Sequence, residues 1–366
     1  MGLRRGGVDW LLVLCCLVFP LLIVGIAEIV VRTFSAVDLL GNSKNLFVAD
    51  AYRTSHGNAP NVEASSFGTL VSMDEHGFRV PKRGIPDDER KPEAILILGD
   101  SVGFGPAVEE GDTFAGLLRT RFTNKRIYNS SVVGYSTPDY RNVIDAFLPL
   151  HGEVTAVVLV YCLNDISATS AQNIDRHLKK TTQNVAEQNL TETLRSFALL
   201  SDANDFLRSR SKLYLFLRHR LLGTQMRDWK AVLQLYSEDR AADVEQAVRD
   251  IAEIAAVLKE RAIPLVVVLS PFEYQLRKPE DPETQVPQRR LGDLLSRADV
   301  NYIDARRYFD DGRSSSDYFL AYDPAHLSAV GHRVIANVIA EALGDSLVVP
   351  AAIPDTKPDS SVTASP

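Results

Sequence analysis

The sequence predicts an α/β domain in which helices cover both faces of a five-stranded parallel sheet. Between residues 91 and 346, short apolar runs rich in β-branched residues alternate with helical patterns. Strands joined by crossover helices pair in parallel. Such strands consist almost entirely of apolar residues because both faces of the sheet are buried. The predicted strands are residues 94–98, 126–128, 155–161, 264–269 and 300–303.

Apolar residues at helical spacing predict two of the covering helices. The first carries a stripe from Val244 to Leu258 at steps of four and three and ends near Arg261. The second is the last helix of the domain, with Ser328 as its N-cap and Gly344 as its stop. Its apolar stripe consists of Val330, Val334, Ile335, Val338 and Ile339.

The N-terminal segment, residues 1–35, is predicted to be a short cytoplasmic stub followed by a transmembrane helix. Residues 10–31 are apolar, Gly or Pro apart from Glu28, and this run is long enough for a hydrocarbon core of about 30 Å. Arginine is more frequent before the run than after it, which predicts a single-pass protein with a cytoplasmic N-terminus. The domain would then be extracytoplasmic, or periplasmic in a Gram-negative cell. A signal peptide cleaved after Ala27 is the alternative.

Three further segments flank or interrupt the domain. Residues 36–90 are turn-rich and predict an extension between the anchor and the domain. Residues 168–238 exceed what a strand-to-strand crossover needs and predict a helical insertion. The tail, residues 347–366, combines prolines with Ser, Thr and Asp, and predicts disorder.

The helical insertion has two interpretations. It is either a solvated helical cap or a basic lid that seats an anionic substrate. The basic residues of the lid would be Arg208, Arg210, Lys212, Arg218 and Arg220.

Composition excludes several function classes. The formal net charge of -7 provides no basic surface for a phosphate backbone, so nucleic acid is not an expected partner. Two of the three cysteines lie in the apolar N-terminal run, which excludes a disulfide framework. No histidines or cysteines stand at zinc-ligand spacing, and we predict neither a metal nor a cofactor.

The first predicted strand ends in Gly99-Asp100-Ser101. Ligands bind at the carboxyl ends of parallel strands, which makes Ser101 a candidate nucleophile; a helix N-cap is the alternative. A serine hydroxyl needs a base to take its proton and a third group to hold that base. His326 and Asp323, three residues apart ahead of the last helix, are the candidate base and carboxylate. Without Ser101, His326 and Asp323 would be interpreted as a capping pair at the start of a helix.

Attack on an acyl carbon also requires donors for the developing oxyanion. Gly134 follows the second predicted strand and has no side chain to keep its amide from a ligand, and Asn164 follows the third and offers a carboxamide N–H. Each alone is also a common turn residue. We interpret Cys162 as an inert buried thiol, and Asp100 and Asp165 as acceptors that fix loops without a role in proton transfer.

Four blocks of the sequence resemble, in order and spacing, the signature blocks of SGNH/GDSL hydrolases: Gly99-Asp100-Ser101, Gly134, Asn164-Asp165 and Asp323-Pro324-Ala325-His326. The resemblance covers about residues 91–344 and implies a flavodoxin-like three-layer sandwich. It also implies a Ser/His/Asp triad carried by Ser101, His326 and Asp323. The implied oxyanion hole consists of the Ser101 amide, the Gly134 amide and the Asn164 side chain.

One position departs from that family and one further stretch resembles it. Cys162 stands where the third block commonly has glycine, which puts the tightness of that loop in doubt. Residues 74–79 resemble a Gly-Phe-Arg stretch found ahead of the nucleophile in bacterial members with an N-terminal anchor, which are associated with cell-envelope or exopolysaccharide chemistry. The alternative is a hairpin on the sheet edge with Arg79 in a structural ion pair.

We therefore predict a membrane-anchored serine esterase that removes small acyl groups, such as acetate, from an extracytoplasmic glycan or a similar ester. An O-acyltransferase that uses the same triad on envelope polysaccharide is one alternative. A non-catalytic envelope protein that binds a glycan or a partner is the other. The expected partners are an acylated carbohydrate or other small ester, and the membrane through the N-terminal helix.

Overall fold

The computed structural model describes residues 10–34, 41–82, 91–166, 206–207, 210–222, 224–321 and 323–346. The predicted disordered tail, residues 347–366, and residues 168–205 of the predicted insertion lie outside the described residues. The strands are β1 (Phe47–Ala49), β2 (His56–Asn58), β3 (Glu63–Ser66), β4 (Thr69–Met73), β5 (Arg79–Val80), β6 (Glu93–Gly99), β7 (Lys125–Asn129), β8 (Val154–Cys162), β9 (Leu265–Ser270) and β10 (Tyr302–Asp304).

The main sheet has the order β10-β9-β8-β6-β7-β5-β4-β3, whereas β1 and β2 form a separate antiparallel pair. Neighbours from β10 to β7 run parallel, and neighbours from β7 to β3 run antiparallel. The five predicted strands are β6 to β10, and their order of second-first-third-fourth-fifth is the flavodoxin-like one. The predicted sheet of five parallel strands was wrong in its size, because three antiparallel strands extend it to eight and make it mixed.

Burial explains why β6 and β8 consist almost wholly of apolar residues. Every residue of β8 except Thr155 is buried, and every residue of β6 except Glu93 is buried. Each fully buried Val, Leu or Ile contributes about 1.5 to 3 kcal/mol of transfer free energy to folding. These two central strands therefore anchor the hydrophobic core and fix the position of whatever follows their carboxyl ends.

The helices of the described residues are α1 (Trp10–Phe34), α2 (Ser101–Phe104), α3 (Phe114–Arg121), α4 (Thr137–Phe147), α5 (Lys212–Leu222), α6 (Thr224–Leu235), α7 (Ala241–Glu260), α8 (Glu273–Arg277), α9 (Val286–Arg297) and α10 (Ala329–Ser346). Five of them pack together in two groups. Helix α3 packs against α10, and α7 packs against both α4 and α9. The chain passes from β6 outward to β7 and then back beyond β6 to β8. Right-handed crossovers therefore place α3 and α4 on opposite faces.

The two helices that the apolar stripes predict are both present in the structure. Helix α7 buries the stripe from Val244 to Leu258. Helix α10 starts directly after Ser328, whose hydroxyl accepts a hydrogen bond from the Gly331 amide at 3.3 Å. The prediction that α10 stops at Gly344 was wrong, because the helix continues through Gly344 to Ser346, the last residue described. Gly344 does not adopt the positive φ of a helix-terminating glycine.

The N-terminal extension contributes strands to the main sheet rather than only a connection. Strands β3, β4 and β5 are four, five and two residues long, and such short strands leave no clear alternation in the sequence. The turn before β5 is closed by the Asp74 carboxylate, which accepts from the amides of His76 (2.9 Å) and Phe78 (2.8 Å). Gly77 adopts a φ of +75° there, and a Cβ would lie 2.4 Å from the Asn58 carbonyl oxygen. Only glycine fits that position.

Arg79 joins this extension to the loop that follows α2. Its guanidinium is fully buried and donates to the main-chain carbonyls of Phe104, Gly105 and Val108. The alternative of a hairpin is confirmed by the antiparallel pair β4 and β5, but its ion pair was wrong, because no carboxylate of the described residues forms one with Arg79 and only the charge of Glu109 acts on it. Burial lowers the pKa of Arg79 to about 10, which leaves the side chain positively charged at neutral pH.

Helix α1 covers most of the segment that was predicted to cross a membrane. Its Glu28 carboxylate receives hydrogen bonds from the Ser211 hydroxyl (2.7 Å) and from the amides of Lys212 (2.9 Å) and Leu213 (3.0 Å), which dock α1 onto the start of α5. Across the described residues, no helix has both the length and the apolar character required to cross a membrane.

Replacing Arg79 by methionine should destabilise the fold strongly. The substitution keeps an unbranched side chain but leaves three buried carbonyls without a donor, so we expect a loss of about 3 to 5 kcal/mol in the free energy of unfolding. Urea unfolding followed by circular dichroism measures it. Arg121→Met on the exposed surface of α3 is the matched control, with an expected change below about 0.5 kcal/mol. Equal stabilities of the two variants would show that the Arg79 contacts carry no energy.

Candidate active site

Ser101 is the first residue of α2, directly beyond the carboxyl end of β6. The helix is capped by its neighbour: the Asp100 carboxylate accepts a hydrogen bond from the Val102 amide at 2.8 Å. The alternative in which Ser101 serves as the N-cap was therefore wrong, and its hydroxyl is available for another contact.

A tight glycine turn holds Ser101 against the next loop. A Cβ on Gly103 would lie 2.3 Å from the Ser131 hydroxyl oxygen, and a Cβ on Gly99 would lie 3.0 Å from the same atom. Any side chain at position 103 would push α2 away from the 130–134 loop. The two glycines thus explain how the strand, the serine and the loop after β7 come together.

Ser101, His326 and Asp323 form one hydrogen-bonded line. The His326 Nε2 atom lies 2.8 Å from the Ser101 hydroxyl, and its Nδ1 atom lies 2.6 Å from an Asp323 carboxylate oxygen. The other Asp323 oxygen accepts from the amides of Ala325 and His326, both at 3.0 Å. The turn between β10 and α10 therefore fixes the carboxylate, which in turn fixes the tautomer and the direction of the imidazole.

The electrostatics of this line favour a charged imidazole. Burial disfavours the imidazolium, but the negative charge of Asp323, its hydrogen bond and the charge of Asp100 together raise the pKa of His326. Burial likewise opposes the Asp323 carboxylate, yet the charge and hydrogen bonds of His326 lower the pKa of Asp323. An imidazole that can take a proton and keep it next to a stable carboxylate has the properties of a general base.

Asp100 and Asp165 accept hydrogen bonds from the amides of Val102 and Cys162, as expected of loop-fixing acceptors, and they make further contacts. The Asp100 carboxylate also accepts from the Ser101 hydroxyl at 3.1 Å, so it competes with His326 for the nucleophile's proton. Oxygens of Asp100 and Asp165 and the Cys162 sulfur lie within 4.8 Å of one another. Burial raises the pKa of both carboxyls, and the charge of Asp100 raises the pKa of Asp165 further. Of the two carboxyls, Asp165 therefore holds a proton more readily.

Two hydrogen bonds donated to Asp165 oppose its protonation, because each of them lowers the pKa of the carboxyl. Its carboxyl oxygen accepts from the Tyr140 hydroxyl (2.7 Å) and from the Cys162 amide (2.9 Å). Cys162 itself is buried, and burial raises the pKa of its thiol well above the usual range. The thiol thus stays protonated, in keeping with the interpretation of Cys162 as inert.

The two candidate oxyanion donors lie on loops at the same end of the sheet. Gly134 is buried with a φ of +89° in the loop after β7. That loop is held by the extension, because the His56 ring contacts the Val133 carbonyl at 2.9 Å and the Asn58 side chain donates to the Ser131 carbonyl at 3.2 Å. Asn164 follows β8. The roles of Gly134 and Asn164 as donors stay predictions.

One neighbour of the imidazole was missed by the sequence analysis. The ring of Phe67, at the tip of the β3–β4 hairpin, lies edge to face with the His326 ring, with centroids 5.4 Å apart and planes at 82°. Nothing in the sequence placed Phe67 at the site, because the hairpin that carries it was itself not predicted. The pair Phe67-Gly68 between two short polar segments was the one available signal of a turn.

Comparisons with known proteins identify similar structures but no sequence relative. No protein-family model and no curated protein matches the sequence. LAE5, an alpha/beta hydrolase enzyme from the metagenome of Lake Arreo in Spain, is 14% identical and matches 69% of this chain and 95% of its own, with a TM-score of 0.40. A lipase/acylhydrolase from Enterococcus faecalis is 13% identical over 69% of this chain and 96% of its own, with a TM-score of 0.39.

A member of the lipolytic G-D-S-L family from Veillonella parvula gives similar values. It is 12% identical over 69% of this chain and 98% of its own, with a TM-score of 0.39. At TM-scores below 0.5 these similarities support no conclusion about this chain.

Two substitutions of Asp165 should separate its neutral from its ionised form. Asp165→Asn keeps an oxygen for Tyr140 and the Cys162 amide, so we expect the free energy of unfolding at pH 7 to change by less than about 1 kcal/mol. Asp165→Leu leaves those two buried donors without an acceptor, and should cost about 3 to 5 kcal/mol. Urea unfolding of both variants makes the comparison. Equal losses in the two variants would mean that the native group is a carboxylate.

Proposed function

We propose that the chain is a serine esterase of the SGNH/GDSL type. The observation that carries the proposal is the line from Asp323 through His326 to Ser101, with donor–acceptor distances of 2.6 and 2.8 Å. A hydroxyl, an imidazole and a carboxylate in this order are the parts required for nucleophilic attack on an acyl carbon. Two of the four sequence blocks that resemble the family supply these three residues: Gly99-Asp100-Ser101 and Asp323-Pro324-Ala325-His326.

The proposed reaction proceeds in two steps through an acyl-enzyme. The Ser101 oxygen attacks the ester carbonyl while His326 Nε2 takes the hydroxyl proton, and the oxyanion accepts from the proposed donors Ser101, Gly134 and Asn164. His326 then returns the proton to the departing alcohol. In the second step water attacks the acyl-enzyme while His326 takes a proton of that water, and His326 then gives the proton to the Ser101 oxygen as the acid leaves. No metal or cofactor takes part in the proposed scheme.

The substrate and the location of the protein belong to the same proposal. We propose a small acyl ester, such as an acetylated glycan outside the cytoplasm, on the basis of the Gly77-Phe78-Arg79 stretch and of the apolar N-terminal run. The membrane attachment and the extracytoplasmic location rest on the sequence alone. Fractionation of cells that express the full-length chain tests both, since a protein recovered only in the soluble cytoplasmic fraction would contradict them.

Transfer of the acyl group to a sugar hydroxyl would use the same three residues. The two reactions differ only in the acceptor of the second step, water or an alcohol. Incubation with an acyl donor and a glycan acceptor separates them, because an esterase releases free acid faster than it forms acylated glycan. The reverse ratio would favour the O-acyltransferase.

Removing the nucleophile should abolish ester hydrolysis. Purified full-length Ser101→Ala is expected to hydrolyse p-nitrophenyl acetate at least about 10⁴-fold more slowly than the unchanged chain, since no other group can form the acyl-enzyme. Cys162→Ala is the control, and its rate should stay within about twofold because the buried thiol is protonated. Release of p-nitrophenol is followed by absorbance. If Ser101→Ala keeps the original rate, the esterase proposal fails.

The pH dependence of the reaction should report the ionisation of His326. The base must be neutral to accept a proton, and the pKa of His326 is raised above its ordinary value of 6.5. We therefore expect kcat/KM to rise with pH through an apparent pKa above 6.5 and then to level off. Asp323→Asn removes the charge that favours the imidazolium, so that the apparent pKa should fall while kcat drops by about 10⁴-fold. An apparent pKa that does not respond to Asp323→Asn would contradict this assignment.

A further inference from the structure

The turn that carries Phe67 has a backbone that bulky residues rarely adopt. Ser66 pairs with Thr69 across the β3–β4 hairpin, so Phe67 and Gly68 form a two-residue connection. Both have positive φ, +50° and +84°. A two-residue hairpin loop with positive φ at both positions strongly prefers Asn, Asp or Gly at the first one, because only these residues adopt it without strain. Phenylalanine at this position calls for a functional reason.

Core packing does not supply that reason. The hairpin buries Ala64, Val71 and Met73 in a small hydrophobic cluster around Leu46 and Phe104. Within the described part of the chain, Phe67 packs against neither this cluster nor the main core. Its side chain is half-buried, and its aromatic contact is the His326 ring at 5.4 Å.

The tip of the hairpin is held in place on two sides. The Phe67 amide donates to the Gly41 carbonyl at 2.7 Å, and the Ser66 hydroxyl donates to the Asn42 side chain at 2.6 Å. The Ser66 carbonyl also accepts from the Ala107 amide at 3.4 Å, in the loop that follows α2. The Phe67 ring is therefore fixed relative to the loop of Ser101 as well as to His326.

We propose that Phe67 is a positioning residue that keeps the His326 imidazole directed from Asp323 to Ser101. The inference rests on the proposed function of that site. A single hydrogen bond to Asp323 leaves the imidazole able to swing, because rotation about the last side-chain bond of histidine is broad. An edge-to-face aromatic contact restricts that rotation and keeps water from one side of the ring. The hairpin of the extension would thus act on the reaction through the base.

The charges around His326 allow this role to be separated from a purely structural one. The titratable groups that act on its ring are Asp323, Asp100 and His332. Burial disfavours the imidazolium, and Phe67 contributes to that burial without contributing charge. Removal of the Phe67 ring should therefore hydrate His326 and raise its pKa while all three neighbours remain.

The test compares a variant that keeps the turn with one that keeps the ring. Phe67→Asn supplies a residue that favours the turn but has no ring, and Phe67→Tyr retains the ring. With p-nitrophenyl acetate we expect Phe67→Asn to lose about 10- to 100-fold, mainly in kcat, and Phe67→Tyr to stay within about threefold. The melting temperature of Phe67→Asn should equal or exceed that of the unchanged chain. Leu70→Asn, an exposed position on β4, is the control and should leave kcat unchanged.

A second readout does not depend on any substrate. Titration of the His326 imidazole by NMR, assigned through the signal lost in His326→Gln, should show a pKa higher by a few tenths to one unit in Phe67→Asn than in the unchanged chain. Unchanged kcat and pKa in Phe67→Asn would overturn the inference, as would a loss in Phe67→Tyr equal to that in Phe67→Asn. If no form of the protein hydrolyses esters, the proposed function fails. The NMR titration then decides alone, since an unchanged pKa refutes the role of Phe67 and a raised pKa supports it.

Discussion

The His326 imidazole has to meet a hydroxyl 225 positions away in the sequence while its other nitrogen is held by Asp323. Hydrogen bonds at 2.6 and 2.8 Å tolerate little displacement of either end. The strand order of the parallel part of the sheet makes this contact feasible. Strand β6 lies in the middle, and its carboxyl end delivers Ser101 to the edge of the sheet at which the turn before α10 brings His326. Catalysis at this edge of the sheet would depend on the contact between His326 and Ser101.

The N-terminal extension gives the site a second layer of support. It fixes the loop after Ser101 through Arg79, fixes the loop of Gly134 through His56 and Asn58, and reaches His326 itself through Phe67. Buried polar groups stabilise a structure only when they are paired, and the Arg79 guanidinium is paired with carbonyls of the loop that it holds. The extension is therefore part of the candidate active site and not only a connection to it.

Below the nucleophile, the buried carboxyls of Asp100 and Asp165 lie within 4.8 Å of each other. Two buried carboxylates would repel each other with no solvent to screen the charge, which favours a proton on one of them. The hydrogen bonds that Tyr140 and the Cys162 amide donate lower the pKa of Asp165, but burial and the charge of Asp100 outweigh them. Asp100 then carries the charge, and that charge contributes to the raised pKa of His326. The loop after β8, which carries Asp165, thus influences the pKa of His326 through Asp100.

Much of this arrangement could be predicted from the sequence, and the parts that could not share a physical cause. Strands β6 and β8 could be predicted because burial on both faces of the sheet requires apolar residues along the whole strand. The meeting of Ser101 with His326 and Asp323 could be predicted because each stands at the end of a strand or before a helix. Strand β3, Glu-Ala-Ser-Ser, has no such pattern, since its pairing comes from its neighbours in the sheet. The position of Phe67 depends on that strand. The raised pKa of Asp165 depends on the fold, which buries Asp100 beside it.

The most direct test of the central contact is labelling by a fluorophosphonate, which reacts only with a serine that has an operating base. The modified chain is analysed by intact mass and by mapping of the labelled peptide. The account predicts one adduct, on Ser101, whose formation slows by several orders of magnitude in folded His326→Gln. An adduct at another residue, or labelling of Ser101 at the same rate in His326→Gln, would contradict it.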